Sequence, residues 1–227
     1  MKLLMHTCCA PCSVYCIDEL RKNGIEPTLY WYNPNIHPYT EYVKRKDCLK
    51  EYSKKINVKA IFEDEYGLDV FCKNVVENIN ARCVNYCYPV RLRKTFEYAK
   101  ANGYDTVTTT LLYSIYQKHD FIKKLMEDLS KEFGINFLYI DFRKGFWQGH
   151  QKAIEQGLYM QKYCGCIFSE EMRYNNHNAT KPSIPNGYEI PREPRMQVKK
   201  IENKEDYIDL LLEADPSKDM IHKYLND

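Results

Sequence analysis

Ten cysteines stand in this chain of 227 residues, and seven of them fall in three short clusters. The first is Cys8-Cys9-Ala10-Pro11-Cys12, the second Cys83-Val84-Asn85-Tyr86-Cys87, the third Cys164-Gly165-Cys166. Sulfur at such spacing can ligate a metal, carry a dithiol–disulfide couple or build an iron–sulfur centre. Structural bridges belong instead to short secreted chains richer in cysteine. The first cluster opens what reads as a helix, with Pro11 in the first turn, where its missing N–H costs nothing. Free backbone N–H groups and the positive helix end favour thiolate there, the form that binds iron. Two adjacent thiols from one loop and two from another suit four-thiolate ligation of an iron–sulfur cluster. Structural zinc uses paired Cys-x-x-Cys knuckles, and here only Cys9 and Cys12 have that spacing. The same pair also fits a thioredoxin-like dithiol–disulfide oxidoreductase.

Other reactive residue types have simpler readings. Cys16, Cys48 and Cys72 stand alone on predicted helices, as core cysteines commonly do. His6, His37, His119 and His150 read as packing or hydrogen-bonding residues, with His6 placed to tune the neighbouring Cys8. Lys44, Arg45, Lys46, Lys50, Lys54 and Lys55 gather on one helix, and Arg192, Arg195, Lys199 and Lys200 in the tail. Such runs form solvated faces or phosphate contacts. The net charge of +2 carries no global signal for nucleic acid. No Walker phosphate loop or Gly-rich dinucleotide fingerprint is present.

The elements that must position these residues alternate. Strands are expected at 2–6, 28–32, 58–62, 105–110 and 135–140. Helices are expected at 11–23, 41–55, 68–77, 90–102, 118–133 and 147–159. This order predicts an α/β fold, a parallel sheet with helices on both faces. In such sheets ligands collect beyond the carboxyl ends of the strands. Cys8, Cys9 and Cys12 follow the first strand, Asn33 and Asn35 the second, Thr108–Thr110 close the fourth, and Asp141 and Arg143 follow the fifth. The chemistry therefore falls on one rim. Residues 175–227 read as an extended linker with a short helical tail, outside the domain at 1–174. The apolar start is too short for a signal core, and no run reaches the ~18–20 residues that cross a bilayer, so a cytoplasmic, membrane-free protein is expected. With hydrophobic residues at 44% and charged ones at 28%, the composition is that of a soluble globular chain.

Several blocks in consistent order over residues 1–174 resemble the QueH-type epoxyqueuosine reductases. They are His6-Thr7-Cys8-Cys9-Ala10-Pro11-Cys12-Ser13; Tyr32-Asn33-Pro34-Asn35-Ile36-His37-Pro38 with Glu41-Tyr42 and Arg45; and Arg82-Cys83, Cys87-Tyr88 and Arg91-Leu92. Further along stand Thr108-Thr109-Thr110-Leu111-Leu112, Tyr116-Gln117 and Asp141-Phe142-Arg143, then Tyr159, Gln161, Tyr163-Cys164-Gly165-Cys166 and Phe168-Ser169. The resemblance implies a fold similar to nucleotide-binding, adenine nucleotide alpha-hydrolase-like domains. It implies a [4Fe–4S] cluster on Cys8, Cys9, Cys83 and Cys87, and a redox-active pair at Cys164 and Cys166. The implied reaction is two-electron deoxygenation of epoxyqueuosine to queuosine on tRNA, the epoxide oxygen leaving as water. The electron donor is unidentified, and the non-enzymatic alternative is a zinc-stabilised tRNA-binding module. Asp141 and Tyr116 are candidate acids or iron ligands, with Cys12 and Asp141 as candidate ligands of an additional mononuclear iron. Lys44, Arg45 and Lys46 are candidate tRNA contacts. One departure stands out: three residues separate Cys83 from Cys87, where the family usually has two.

Overall fold

The computed structural model describes residues 1–175. The tail's expected linker and helices, and its basic residues, lie outside the described residues. Five parallel strands, β1 (Leu3–His6), β2 (Thr28–Trp31), β3 (Ala60–Phe62), β4 (Thr106–Thr109) and β5 (Asn136–Phe137), form one sheet in the order β3-β2-β1-β4-β5. All four residues of β1 are buried, as a central parallel strand covered on both faces requires. The chain moves from β1 outward to β3, returns to β4 and continues to β5. The strand order therefore reverses between β1 and β4, where open α/β sheets leave a crevice for a ligand.

The helices follow from their apolar stripes. In α1 (Ala10–Lys22) Val14, Ile17 and Leu20 turn inward, and the helix ends as Gly24 takes φ 71°. In α5 (His119–Phe133) His119, Ile122, Met126 and Leu129 form the buried stripe, and Gly134 closes the helix at φ 69°. α2 (Tyr39–Lys55) and α6 (Phe146–Glu155) pack beside α1, whereas α4 (Tyr88–Ala101) packs with α5. The expected parallel sheet is thus present, with three local departures. The fifth strand pairs only at Asn136 and Phe137, because the chain leaves the sheet edge for the rim after Leu138. α3 (Leu68–Val75) gives way to a 3₁₀ segment, Val76–Ala81, broken at Asn78. A further helix, α7 (Ile167–Tyr174), follows the third cysteine cluster. Among the described residues no helix is long and apolar enough to cross a membrane.

α6 approaches α1 closely at two glycines. A Cβ on Gly145 would stand 2.0 Å from the Tyr15 ring, and one on Gly149 would stand 2.6 Å from Tyr113 Oη. Gly145→Ala should therefore lower the unfolding free energy by about 1–3 kcal/mol in chemical denaturation, through overpacking. Gly103→Ala, with open space around it but φ 65°, should cost only about 1 kcal/mol, from backbone strain.

Candidate metal and redox site

The turn after β1 carries the first three thiols. Among the described residues, Cys8, Cys9 and Cys12 form the group whose sulfur atoms all lie within 4.8 Å of one another. Cys8 and Cys9 Sγ are 3.7 Å apart. Thr110, just beyond β4, reaches across the reversal point. Its Oγ1 accepts the Cys8 backbone N–H at 3.1 Å and donates to Cys8 Sγ at 3.4 Å. Hydrogen bonds from the Cys12 and Cys9 thiols hold Cys8 well below the ordinary thiol range, while burial and those same bonds leave Cys9 and Cys12 well above it. Cys8 is the most acidic thiol of the three. Gln161 Nε2 donates to Cys12 Sγ at 3.3 Å. His6, in β1, is pushed down to about 3 by burial and by the nearby Arg91 charge. Its Nδ1 lies 3.0 Å from Thr109 Oγ1.

The other four clustered thiols gather beside α4. Residues Cys83–Cys87 form a single π-turn that runs directly into α4. A π-turn is how a helix accommodates one extra residue, and here it spans the three residues between Cys83 and Cys87. Pro89 lacks the N–H that an α-helical turn would use and crowds the carbonyl four residues back, so the wide turn also makes room for it. Cys83 and Cys87 remain neighbours. A hydrogen bond from Cys87, with Arg82 and Arg91 nearby, outweighs burial and pulls Cys83 down to about 6.

Cys87 and Cys166 share a small apolar cluster with Phe71 and Val75. Arg82 Nε donates to Cys166 Sγ and Gln117 Nε2 to Cys164 Sγ, each at 3.3 Å. Tyr88 Oη donates to Gln117 Oε1 at 2.8 Å. Cys164 and Cys166 are both free thiols, engaged with different partners. Burial and the Cys83 charge raise the Cys164 thiol. Two buried arginines bridge the sulfur groups: the charge of Arg91 bears on His6, Cys83, Cys87 and Cys164, and that of Arg45 on Cys9 and Cys164.

The remaining candidates stand differently from the expectation. Asp141 receives Arg143 Nε at 2.9 Å, Arg143 Nη2 at 2.7 Å and the Arg143 backbone N–H at 3.1 Å. Burial opposes its charge, yet these bonds hold the carboxyl below its usual range. It is a committed carboxylate rather than a ready acid. Tyr116 is 52% exposed, its ring edge against Phe146. Of the three basic residues, Lys44 is exposed, its ammonium over the Tyr159 ring. Lys46 pairs with Asp64 at 2.6 Å, and Arg45 is only 2% exposed and pairs with Glu41 at 2.6 Å. Burial withdraws Arg45 from any phosphate, because its guanidinium is spent inside the protein.

Sequence reasoning gave no role to Arg82, Arg91, Thr110, Gln117 or Gln161. A buried arginine or glutamine shows no periodic signal, and only its neighbours in space disclose its partner. In protein stripped of metal, the alkylation rate of Cys83, followed by peptide mass spectrometry, should rise with a midpoint near pH 6. Cys87→Ala should move that midpoint up, toward the ordinary thiol range of about 8.5.

A family model described as Epoxyqueuosine reductase QueH matches residues 3–172. The chain is 36% identical over 178 residues to the epoxyqueuosine reductase QueH of Dehalococcoides mccartyi, covering 78% of this chain and 97% of that one. It is 32% identical over 176 residues to the protein of the same name from Haemophilus influenzae, covering 74% and 71% respectively. With the Thermotoga maritima protein of that name it shares 29% over 185 residues, covering 77% and 93%.

Proposed function

The chain belongs to the QueH family of epoxyqueuosine reductases, and we propose that it deoxygenates epoxyqueuosine in tRNA through a thiolate-bound iron–sulfur centre. The observation that carries this reading is the Cys8–Cys9–Cys12 thiol group at the β1–β4 reversal point, with four further clustered thiols beside α4 and the Arg45 charge bearing on Cys9 of the first set and Cys164 of the second. The donor set fits an iron–sulfur group. It consists of free thiols, with Cys8 and Cys83 held toward thiolate, and a redox-inert zinc would use neither the free pair at Cys164 and Cys166 nor the family's reduction. In this reading Cys8, Cys9, Cys83 and Cys87 hold a [4Fe–4S] cluster, and Cys12 with Asp141 are the candidates for an additional mononuclear iron. Such a centre supplies one-electron transfer and Lewis acidity toward the epoxide oxygen.

The net reaction consumes two electrons and two protons, breaks both C–O bonds of the epoxide, and yields an alkene and water. The electrons come from an external one-electron or dithiol donor. This chain's own residues then divide the work. Cys164 and Cys166 form the redox pair, each thiol kept separate by its own donor, Gln117 or Arg82. Asp141, held as a carboxylate by Arg143, serves to orient or ligate a cation. Tyr116, at the exposed rim, is the candidate proton donor. Lys44 contacts tRNA phosphate, the role Arg45 and Lys46 do not share because carboxylates hold them. We place the protein in the cytoplasm, where thiols stay reduced.

Anaerobic purification with iron and sulfide analysis tests the centre. The protein should be brown, and Cys8→Ser, Cys9→Ser and Cys87→Ser should each lose cluster iron. Full iron and sulfide in all three variants would falsify the ligand set. Zinc alone would favour a binding module, and absence of metal a dithiol enzyme. For tRNA, Lys44→Ala should reduce the log–log salt slope of binding by about 1; an unchanged slope would leave Lys44 a plain surface cation.

A further inference from the structure

Arg45 is among the largest fully buried side chains of the described residues, and its bonds converge on one short segment. Its Nη1 donates to the Cys164 carbonyl and its Nη2 to the Tyr163 carbonyl, each at 2.9 Å. Nε donates to Glu41 Oε1 at 2.6 Å, and Glu41 Oε2 accepts the Tyr159 hydroxyl at 2.6 Å. The turn before α2 grips the same segment. His37 N–H donates to the Gly165 carbonyl at 2.8 Å, and Tyr163 Oη donates to the His37 carbonyl at 2.9 Å. Gly165 lies so close that a Cβ there would stand 3.3 Å from Ile36 Cγ1 and 3.7 Å from Arg45 Nη1. The same segment of chain reaches the first cysteine loop, where Gln161 Nε2 donates to Cys12 Sγ at 3.3 Å.

We propose that Arg45, buttressed by Glu41 and Tyr159, is the positioning residue that fixes Cys164 and Cys166 relative to the Cys8–Cys9–Cys12 loop. The planar fork is the reason for arginine at this place, since two parallel donors fix both the position and the rotation of the peptide they hold. A lysine keeps the positive charge near Cys9 but offers one compact ammonium. If fastening the loop were the whole task, apolar packing would serve as well without burying an ion. The proposal rests on the reading in which Cys164 and Cys166 act in turnover, but its test does not depend on turnover alone.

The full-length protein, purified anaerobically as it stands, is treated with iodoacetamide, and the alkylation of Cys166, buried in the clamped segment, is read against Cys72 by peptide mass spectrometry. In Arg45→Lys the Cys166 to Cys72 ratio should rise about tenfold or more while iron content stays at the wild-type level. In the same variant kcat on epoxyqueuosine-containing tRNA should fall about 10- to 100-fold with KM nearly unchanged, the penalty of an ångström-scale misplacement. Tyr159→Phe, which removes one hydroxyl from the far end of the network, should move the same ratio in the same direction by less. It decides the matter if Arg45→Lys does not fold. An unchanged ratio in a folded variant, or a change in KM without one in kcat, would overturn the proposal. Wild-type protein without reductase turnover would sink the functional reading instead, and the alkylation ratio would still judge the clamp.

Discussion

Thiolate charge buried at the carboxyl rim of the sheet must be met by nearby cations, and three arginines answer that need. Arg45, Arg82 and Arg91 are all buried. Only one of them, Arg45, has a carboxylate partner among the ion pairs of the described residues. Placing an unpaired guanidinium inside a protein costs several kcal/mol, so the sulfur groups are the natural counterions for the other two. Arg82 donates to Cys166, and the Arg91 charge bears on Cys83, Cys87 and Cys164. Each arginine also holds a backbone carbonyl: Ile79 for Arg82, Cys87 for Arg91, Cys164 and Tyr163 for Arg45. One set of side chains therefore balances the charge of the thiols and shapes the loops that carry them.

The π-turn at Cys83–Cys87 keeps two thiols together across three intervening residues. An inserted residue in a regular α-helix rotates everything before it by about 100°, which would carry Cys83 off the face that Cys87 shares. Widening a single turn absorbs the insertion locally. α4 keeps its register, and Arg91, Leu92, Thr95 and Phe96 still face inward. The constraint thus lies on the sulfur positions, and the backbone adapts to them.

The sequence made the sheet and its rim legible because strands and helices alternate cleanly, and because the cysteine clusters follow strand ends or precede helices. β1, β2 and β4 appear within a residue or two of their expected bounds. What escaped depends on neighbours in space. The start of α4 was hidden by Pro89, which reads as a boundary when only local rules apply, though it is tolerated in the first turn of a helix. β5 shortened because the chain leaves the sheet edge after Leu138 although β4 runs on to Thr109. Arg45 and Lys46 share a basic run with Lys44, yet a helix shows neighbouring residues to different surroundings. Lys44 faces water, while Arg45 turns into the protein toward Glu41 and the Tyr163 and Cys164 carbonyls. Charge alone did not reveal that division.

In many folds with this strand order the first turn after β1 is an anion cradle, its helix N–H groups directed at a phosphate. Here the helix begins at Ala10 with no side-chain cap on its free N–H groups, and the anion nearest them is sulfur. The Cys8 N–H itself is given to Thr110, from the strand across the reversal point. A phosphate site needs glycine there so that the backbone can approach a bulky ligand. This turn carries Cys8 and Cys9 instead, and the acidic Cys8 thiol can bring the negative charge with it. The electrostatic demand of the helix end is the same in both cases. Meeting it with a covalently attached thiolate rather than a diffusible phosphate turns the ligand-binding end of the sheet into a place that can hold a metal.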